Sequence, residues 1–408
     1  MKQFTIPFTY RSRLISGIKE KRKEADKLKK DFSPTILDFG PIQFYLARHF
    51  GFCYGVENAI EIAFRTVDEN PGKRIFLLSE MIHNPSVNKD LQERGVQFLQ
   101  DTYGNSMVPI ESLDSNDIVI IPAFGTTIEI EKKLTAIGIA IEKYNTTCPF
   151  VEKVWNRSEQ IAKKQYSVVI HGKPSHEETR ATFSHAANNT PSIVIQDMSE
   201  AMVLSDYILG KINNDSFQTF FKDRVSYGFD PTLHLSRIGV VNQTTMLASD
   251  TQGIADFLKK TMIEKYQLNE QNIHEHFADT RDTLCYATND NQSAVYGLLK
   301  AEADLAIVVG GYNSSNTSHL VELCEEHLTT FYIDHPDRII SKNEISHYDF
   351  HHSVEKNTIN YLPQKSPIKV LMTSGASCPD ALVEKVIEKI CSYYVTEEQY
   401  KSALAQFI

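Results

Sequence analysis

The chain has 408 residues, a hydrophobic fraction of 41% and a formal net charge of -10. This length and composition predict a globular protein of two or three domains with a sizeable core, and the negative balance argues against a broad nucleic-acid-binding surface. No apolar run is long enough to cross a bilayer and no secretory signal is present, so we expect a cytoplasmic protein.

Residues 1–41 are predicted to form a separate N-terminal arm. The stretch from Arg11 to Phe32 holds nine Lys or Arg residues and only three acidic residues before Asp31. Its apolar residues are too few for a core face. We therefore expect a solvated helix that packs loosely or crosses to a partner.

From about residue 42, short β-rich apolar runs alternate with helical periodicity, which is typical of α/β units around mainly parallel sheets. The nine strand candidates are IQFYLA, RIFLLS, IVIIPAF, YSVVIHG, SIVIQD, RIGVVNQ, LAIVVGG, TFYID and IKVLMTS. Ligands of open α/β sheets bind beyond the carboxyl ends of strands. Residues that follow these runs are therefore candidates for a functional site.

The pattern predicts three similar α/β domains and a short C-terminal tail. Their ranges are 42–147, 148–281, 282–395 and, for the tail, 396–408. Two insertions, residues 205–236 in the second domain and residues 338–367 in the third, are interpreted as surface elaborations.

Three of the six cysteines are predicted to lie at helix starts. Cys53 follows a glycine-flanked turn, Cys148 precedes Pro149, and Cys285 repeats the arrangement. A helix N-terminus stabilises negative charge and lowers the pKa of a thiol, which favours metal binding. Because their wide spacing matches no local zinc or ferredoxin motif, these residues alone leave open both buried structural thiols and a shared metal site.

The other three cysteines have different predicted environments. Cys324 and Cys391 fall on apolar stripes of predicted helices and are expected in the core. Cys378 also precedes a proline at a predicted helix start, so it stays a rival metal ligand.

Eight segments together resemble, in order, the signature strings of the hydroxymethylbutenyl diphosphate reductase family. They are GFCYGVENAI, IHNPSV, NTTCPFVEKVW, HEETRATF, VVNQTTML, DTLCYAT, VGGYNSSNTSHL and SGASCPD, within about residues 43–392. The family carries out the last step of the methylerythritol phosphate route to isoprenoids. Phe124 stands where many bacterial members have a histidine; this Phe, the long arm and the HEET string resemble the branch found in plants and cyanobacteria.

That resemblance implies a cloverleaf of three α/β domains around an iron-sulfur cluster. The implied cofactor is a [4Fe-4S] cluster held by Cys53, Cys148 and Cys285, with the fourth iron open to a substrate hydroxyl. The implied reaction is reductive dehydroxylation of 4-hydroxy-3-methylbut-2-enyl diphosphate to isopentenyl and dimethylallyl diphosphate. It consumes two electrons and two protons and releases water.

The resemblance also implies roles for polar side chains that follow strands. Glu178 is the implied proton donor, and Thr244 is placed to relay a proton to it. The segment Asn313–Asn316 follows a strand and opens a helix, where backbone N–H groups favour an anion. The expected substrate contacts are His83, His176, Thr244, Ser314, Ser315, Asn316 and Ser377.

The electrons are expected to come from another protein. No G-x-G-x-x-G or G-x-x-x-x-G-K-[ST] segment follows a strand, so there is no fingerprint for bound NAD, flavin or ATP. A reduced ferredoxin or flavodoxin is the implied partner. Two alternatives stay open: an iron-sulfur hydro-lyase that uses no net electrons, and a zinc-binding structural protein.

Overall fold

The structure is a computed structural model that describes residues 4–278 and 283–407. Its strands are β1 (Thr35–Asp38), β2 (Ile42–Leu46), β3 (Ile75–Leu77), β4 (Gln97–Phe98), β5 (Ile118–Ile120), β6 (Ser167–His171), β7 (Ser192–Ile195), β8 (Ile238–Asn242), β9 (Leu305–Val309), β10 (Thr330–Ile333), β11 (Ile339–Ser341), β12 (Glu344–Asp349), β13 (Val354–Ile359) and β14 (Ile368–Ser374). Its α-helices are α1 (Arg13–Ala25), α2 (Tyr54–Glu69), α3 (Pro85–Glu93), α4 (Ile128–Ile137), α5 (Pro149–Lys163), α6 (Glu177–Ala187), α7 (Met198–Ile208), α8 (Asn214–Phe220), α9 (Pro231–His234), α10 (Ala248–Tyr266), α11 (Tyr286–Leu298), α12 (Ser315–Glu325), α13 (Asp380–Cys391) and α14 (Glu397–Leu404).

The chain forms two compact units, and unit 1 comprises residues 4–57, 82–89 and 286–407 of the described chain. Its main sheet has the strand order β1-β2-β14-β9-β10. The last four of these strands run parallel, whereas β1 pairs antiparallel with β2 at one edge. In β14, Val370 pairs with Phe44 on one side and Leu305 on the other. The central strand β14 is almost completely buried.

A second sheet of unit 1, β11-β12-β13, is antiparallel and lies within the predicted insertion 338–367. Most residues of β13 are exposed, which agrees with a surface elaboration. Its strands were not predicted from the sequence, because their Lys, Asn and His residues obscure the alternation of apolar and polar residues that marks a half-buried strand.

Unit 2 comprises residues 58–81, 90–278 and 283–285 of the described chain. It contains two parallel sheets, β4-β3-β5 and β7-β6-β8. Every residue of β6 and β8 is buried. Such continuous apolar runs are expected in parallel strands that helices cover on both faces.

The predicted insertion 205–236 contributes to the core of unit 2, so its interpretation as a surface elaboration is wrong. Phe217 of α8 is fully buried, and Phe221 and Phe229 pack with it against β7 and β8 residues such as Ile193. The aromatic residues of this largely polar segment pack against the apolar face of the β7-β6-β8 sheet, which the sequence alone did not reveal.

Replacing Phe217 by alanine is therefore expected to destabilise the protein by about 3–5 kcal/mol, because it leaves a cavity in a packed core. The measurement is the free energy of unfolding from denaturant titration. Phe220→Ala is the matched control, since Phe220 lies on the same helix and is exposed. An equal loss in both variants would contradict the core assignment.

The N-terminal arm is also more closely packed than the sequence suggested. Leu14, Ile15 and Ile18 share one face of α1, are buried, and meet α13. The expectation of a loosely packed, solvated helix is wrong because three apolar residues at this spacing suffice for one face, while the basic residues occupy the other. The end of the arm forms β1 in the main sheet.

The predicted α/β class with mainly parallel sheets is confirmed, and the nine predicted strands all occur. The division into three domains stays a prediction, and its boundary at 281/282 lies outside the described residues. The predicted C-terminal tail contains α14, which Thr396 caps. Among the helices described, none has the length and apolar character needed to cross a membrane.

Candidate active site

Three adjacent parallel strands of unit 1 end at one edge of the main sheet, and predicted site residues follow each of them. Cys53 comes after β2, Ser377 after β14, and Ser314 after β9. The carboxyl ends of parallel strands form the usual ligand-binding edge of an α/β sheet. The fold therefore gathers these loops although the chain separates them widely.

Cys53 lies in a tight turn that leads into α2. Gly51 has a φ of 78°, a conformation that glycine adopts without steric cost. The backbone N–H of Cys53 donates to the carbonyl oxygen of Ala376 at 3.2 Å, and its own carbonyl accepts from Glu57 at 2.9 Å. Its side chain is partly exposed. The predicted position at a helix start is confirmed.

The loop after β9 combines a helix start with converging polar side chains. Ser314 caps α12, since its Oγ accepts the N–H of Thr317 at 3.3 Å. Asn316 Oδ1 accepts the N–H of Ala376 at 2.9 Å. Ser315 Oγ is buried and, among residues 4–278 and 283–407, has no hydrogen-bond partner. A buried hydroxyl in that state is costly unless a ligand or water completes its hydrogen bonds.

His83 lies beside the loop after β14. Its carbonyl oxygen accepts a hydrogen bond from Ser377 Oγ at 3.1 Å. Gly311 adjoins the same carbonyl so closely that an added Cβ atom would overlap it. Unit 1 thus brings His83 and Ser377 into direct contact, and glycine at position 311 makes the close approach possible.

In unit 2, Glu178 and Thr244 form a buried pair between the loops that follow β6 and β8. Glu178 Oε1 accepts the backbone N–H of Thr244 at 2.5 Å, and Oε2 accepts its hydroxyl at 3.0 Å. Only 1% of Glu178 is exposed. The sequence placed these two residues near each other through the family resemblance alone, and the contact exists.

Cys148 and Cys285 belong to the surroundings of this pair. The N–H of Cys285 donates to the Thr244 carbonyl at 3.2 Å. Cys148 is the N-cap of α5, with Pro149 as the first helical residue. Burial raises the pKa of the Cys148 thiol to about 11, and the neighbouring Cys285 and Glu178 add to this rise. Burial, the largest effect, therefore outweighs the lowering expected from the helix start.

His176 caps α6, the helix that carries Glu178. Its Nδ1 accepts the N–H of Glu178 at 3.2 Å. The ring edge of Phe124 contacts the His176 ring, with centroids 5.6 Å apart at an angle of 84°. Phe124, which the resemblance matches to a histidine of many bacterial members, thus packs against one of the expected substrate contacts.

The six cysteines separate into two classes in the structure. Cys53, Cys148 and Cys285 are partly exposed at helix starts, whereas Cys324, Cys378 and Cys391 are buried. The core prediction for Cys324 and Cys391 is confirmed. Over residues 4–278 and 283–407, no three His, Cys, Asp or Glu side chains form a group that could hold a metal ion. The joint role of the three exposed thiols stays a prediction.

Two residues that support the site, Asn242 and Thr283, were not predicted from the sequence. Asn242 and Thr283 exchange hydrogen bonds: the Asn242 N–H donates to Thr283 Oγ1 at 3.0 Å, and the Thr283 N–H donates to Asn242 Oδ1 at 2.9 Å. This exchange holds the segment before Cys285 against the end of β8. The only signal in the sequence was that Asn242 lies in the VVNQTTML string.

Polar side chains in the loops that follow parallel strands, among them a buried carboxyl, are typical of an α/β enzyme. The sequence profile described as "LytB protein" matches residues 44–391, so the chain belongs to the LytB family. The resemblance to the hydroxymethylbutenyl diphosphate reductase family is thereby confirmed.

Curated relatives carry the name 4-hydroxy-3-methylbut-2-enyl diphosphate reductase. The protein of a Synechococcus species is 41% identical over 87% of this chain and 86% of its own length. The proteins of Prochlorococcus marinus and Crocosphaera subtropica are 41% and 40% identical, over 93% and 95% of this chain and 89% and 90% of their own lengths. These relatives are cyanobacterial, in agreement with the predicted branch.

Two solved structures share the fold. The E-1-hydroxy-2-methyl-but-2-enyl-4-diphosphate reductase from Plasmodium falciparum matches 85% of this chain and 86% of its own, with a TM-score of 0.60 and 22% identity. The second is an (E)-4-hydroxy-3-methyl-but-2-enyl diphosphate reductase, described as the terminal enzyme of the non-mevalonate pathway. It matches 85% of this chain and 98% of its own, with a TM-score of 0.50 and 24% identity.

Proposed function

We propose that this chain is an iron-sulfur reductase that converts 4-hydroxy-3-methylbut-2-enyl diphosphate into isopentenyl and dimethylallyl diphosphate. The observation that carries the proposal is the buried Glu178–Thr244 pair, which is bonded to the Cys285 backbone. A buried carboxyl beside thiols suits a reaction that needs both a proton and a metal. Membership of the family supports the choice of substrate.

In this proposal Cys53, Cys148 and Cys285 hold a [4Fe-4S] cluster. The donor chemistry fits, since these are the partly exposed thiols of the described chain and each stands at a helix start. When bound, such a cluster supplies electrons and an iron with an open position for the substrate hydroxyl.

Glu178 is the proposed proton donor, with Thr244 as its positioning partner and relay. The overall reaction replaces C–OH by C–H, takes up two electrons and two protons, and releases one water. The two hydrogen bonds from Thr244 fix the carboxyl orientation, so that the proton is held at a defined oxygen. Thr244 also contacts the substrate in this proposal.

The diphosphate is bound by neutral donors from several loops. The proposed contacts are His83, His176, Ser314, Ser315, Asn316 and Ser377. Ser315 Oγ, buried without a partner in the described chain, is suited to a phosphate oxygen, and the first turn of α12 adds backbone N–H groups. His176 accepts the Glu178 N–H at Nδ1, which leaves Nε2 as the ring nitrogen that would donate to a phosphate oxygen.

The electron donor in this proposal is a reduced ferredoxin or flavodoxin, because the sequence lacks the Gly-rich fingerprints of a bound NAD or flavin.

Anaerobic purification followed by iron and sulfide quantification tests the proposal, together with an assay of the hydroxylated C5 diphosphate with and without a chemical reductant. We expect a coloured protein whose turnover consumes reductant. Turnover that is independent of reductant would instead indicate a hydro-lyase. A colourless protein containing stoichiometric zinc would indicate the structural alternative.

A further inference from the structure

We infer that residues 4–31 of the N-terminal arm position the turn that carries Cys53 and shield the Cys53 thiol. Phe4, Tyr10 and Lys19 are the positioning residues. The inference deepens the proposed function, in which Cys53 is a cluster ligand, but the shielding itself can be tested without any metal. All contacts that support it lie within unit 1.

The arm places one aromatic ring on each side of Cys53. Phe4 is buried and packs edge-on against Tyr54, the residue after Cys53, with ring centroids 4.9 Å apart at 74°. Tyr10 packs edge-on against Phe52, the residue before Cys53, at 6.0 Å and 76°. Edge-to-face pairs of this kind add to the stabilisation from buried area. The chain on both sides of Cys53 is therefore fixed by the arm.

Lys19 of α1 holds the preceding part of the same turn. Its Nζ atom lies 2.7 Å from Asp380 Oδ1 and 4.7 Å from the centre of the Phe50 ring. A Cβ atom added at Gly51 would overlap Asp380 and crowd Lys19 at 2.9 Å. The ion pair thus packs directly on the Gly51 backbone and leaves the turn little freedom.

The segment of the arm between α1 and β1 contacts α11, whose first residue follows Cys285 in the chain. Lys29 Nζ lies 2.9 Å from Asp290 Oδ2 and 5.8 Å from the centre of the Tyr286 ring. The hydroxyl of Tyr286 accepts the backbone N–H of Tyr54 at 2.9 Å. Arm, Cys53 turn and α11 are consequently one connected set of contacts.

Packing on both sides of the turn limits how often the turn opens and presents the thiol fully to reagents in solution. Reaction of a partly covered side chain follows the population of locally open states, which rises when packing contacts are removed. This role was not predictable from the sequence, in which the arm is a basic segment with few apolar residues.

Alkylation of the metal-free, reduced protein by iodoacetamide is the direct test, with labelling at each cysteine measured by peptide mass spectrometry. The double variant Phe4→Ala, Tyr10→Ala is expected to label Cys53 about tenfold faster than the unmodified protein. Phe8→Ala is the matched control: Phe8 lies in the same segment and is 77% exposed, so it should leave the rate unchanged. Buried Cys324 and Cys391 report global unfolding in the same samples.

An unchanged Cys53 rate in the double variant overturns the inference, as does an equal rise in Phe8→Ala. If Cys324 and Cys391 are also labelled in the double variant, global unfolding explains the result, and the milder Phe4→Leu variant then tests the inference. It keeps apolar bulk but loses the ring edge, so Cys53 labelling should still rise about twofold to threefold while the two core thiols stay protected. No rise in that variant overturns the inference.

A second measurement separates this inference from the proposed function. After anaerobic reconstitution with iron and sulfide, the double variant should match the unmodified protein in iron content and lose iron in air about tenfold faster. If the unmodified protein binds no cluster while Cys53 labelling still depends on Phe4 and Tyr10, the proposed function fails and the shielding stands.

Discussion

Replacing Glu178 by glutamine will leave the iron and sulfide content unchanged and lower the rate of diphosphate reduction by about 10²–10⁴-fold, the range typical of general acid catalysis. The glutamine side chain has the same shape: its carbonyl oxygen can accept the Thr244 N–H while its NH2 group donates to the Thr244 hydroxyl oxygen. It has, however, no carboxyl proton to give. The measurement combines metal analysis with reductant-dependent turnover under anaerobic conditions.

Glu177→Gln is the control for that variant. Glu177 is the neighbouring acid on α6 and is also buried, but the Thr244 N–H and hydroxyl contact Glu178. We expect Glu177→Gln to retain most of the turnover. Full activity in Glu178→Gln would remove Glu178 as the acid, and a loss of iron in that variant would show a structural role instead.

Replacing Cys148 by serine will remove most of the bound iron and the visible absorption, and turnover will fall with them. The proposed cluster has three protein ligands in all, so the loss of one thiolate weakens its binding strongly. A serine hydroxyl is a poor substitute for a soft thiolate. Iron quantification and the absorption spectrum of the anaerobically purified variant provide the measurement.

Cys378→Ser is the matched control, because Cys378 also precedes a proline at a helix start. It is completely buried, its Sγ donates to the Pro379 carbonyl at 3.6 Å, and burial raises the pKa of its thiol to about 12. This variant should keep its iron and lose only stability. Iron retained by Cys148→Ser but lost from Cys378→Ser would reverse the ligand assignment.

Local sequence patterns predicted most of the helices and strands that position the site. The apolar runs at β6 and β8 are recognisable because both strands are buried on both faces. Pro149 after Cys148 marked a helix start correctly, since proline fits the first helical position. The strands β11–β13 were missed because exposed strands carry little apolar signal.

The sequence by itself determined the α/β class, the nine main strands, the helix-start positions of Cys53 and Cys148, and the family. Each of these depends on residues that are near one another in the chain or on strings that are specific in themselves. Only the tertiary structure decided that Asn242 exchanges hydrogen bonds with Thr283, 41 residues away, that Phe217 enters the core, and that the arm packs against the residues on both sides of Cys53. Those outcomes depend on which surfaces meet after folding, and one sequence contains no local pattern for such pairings.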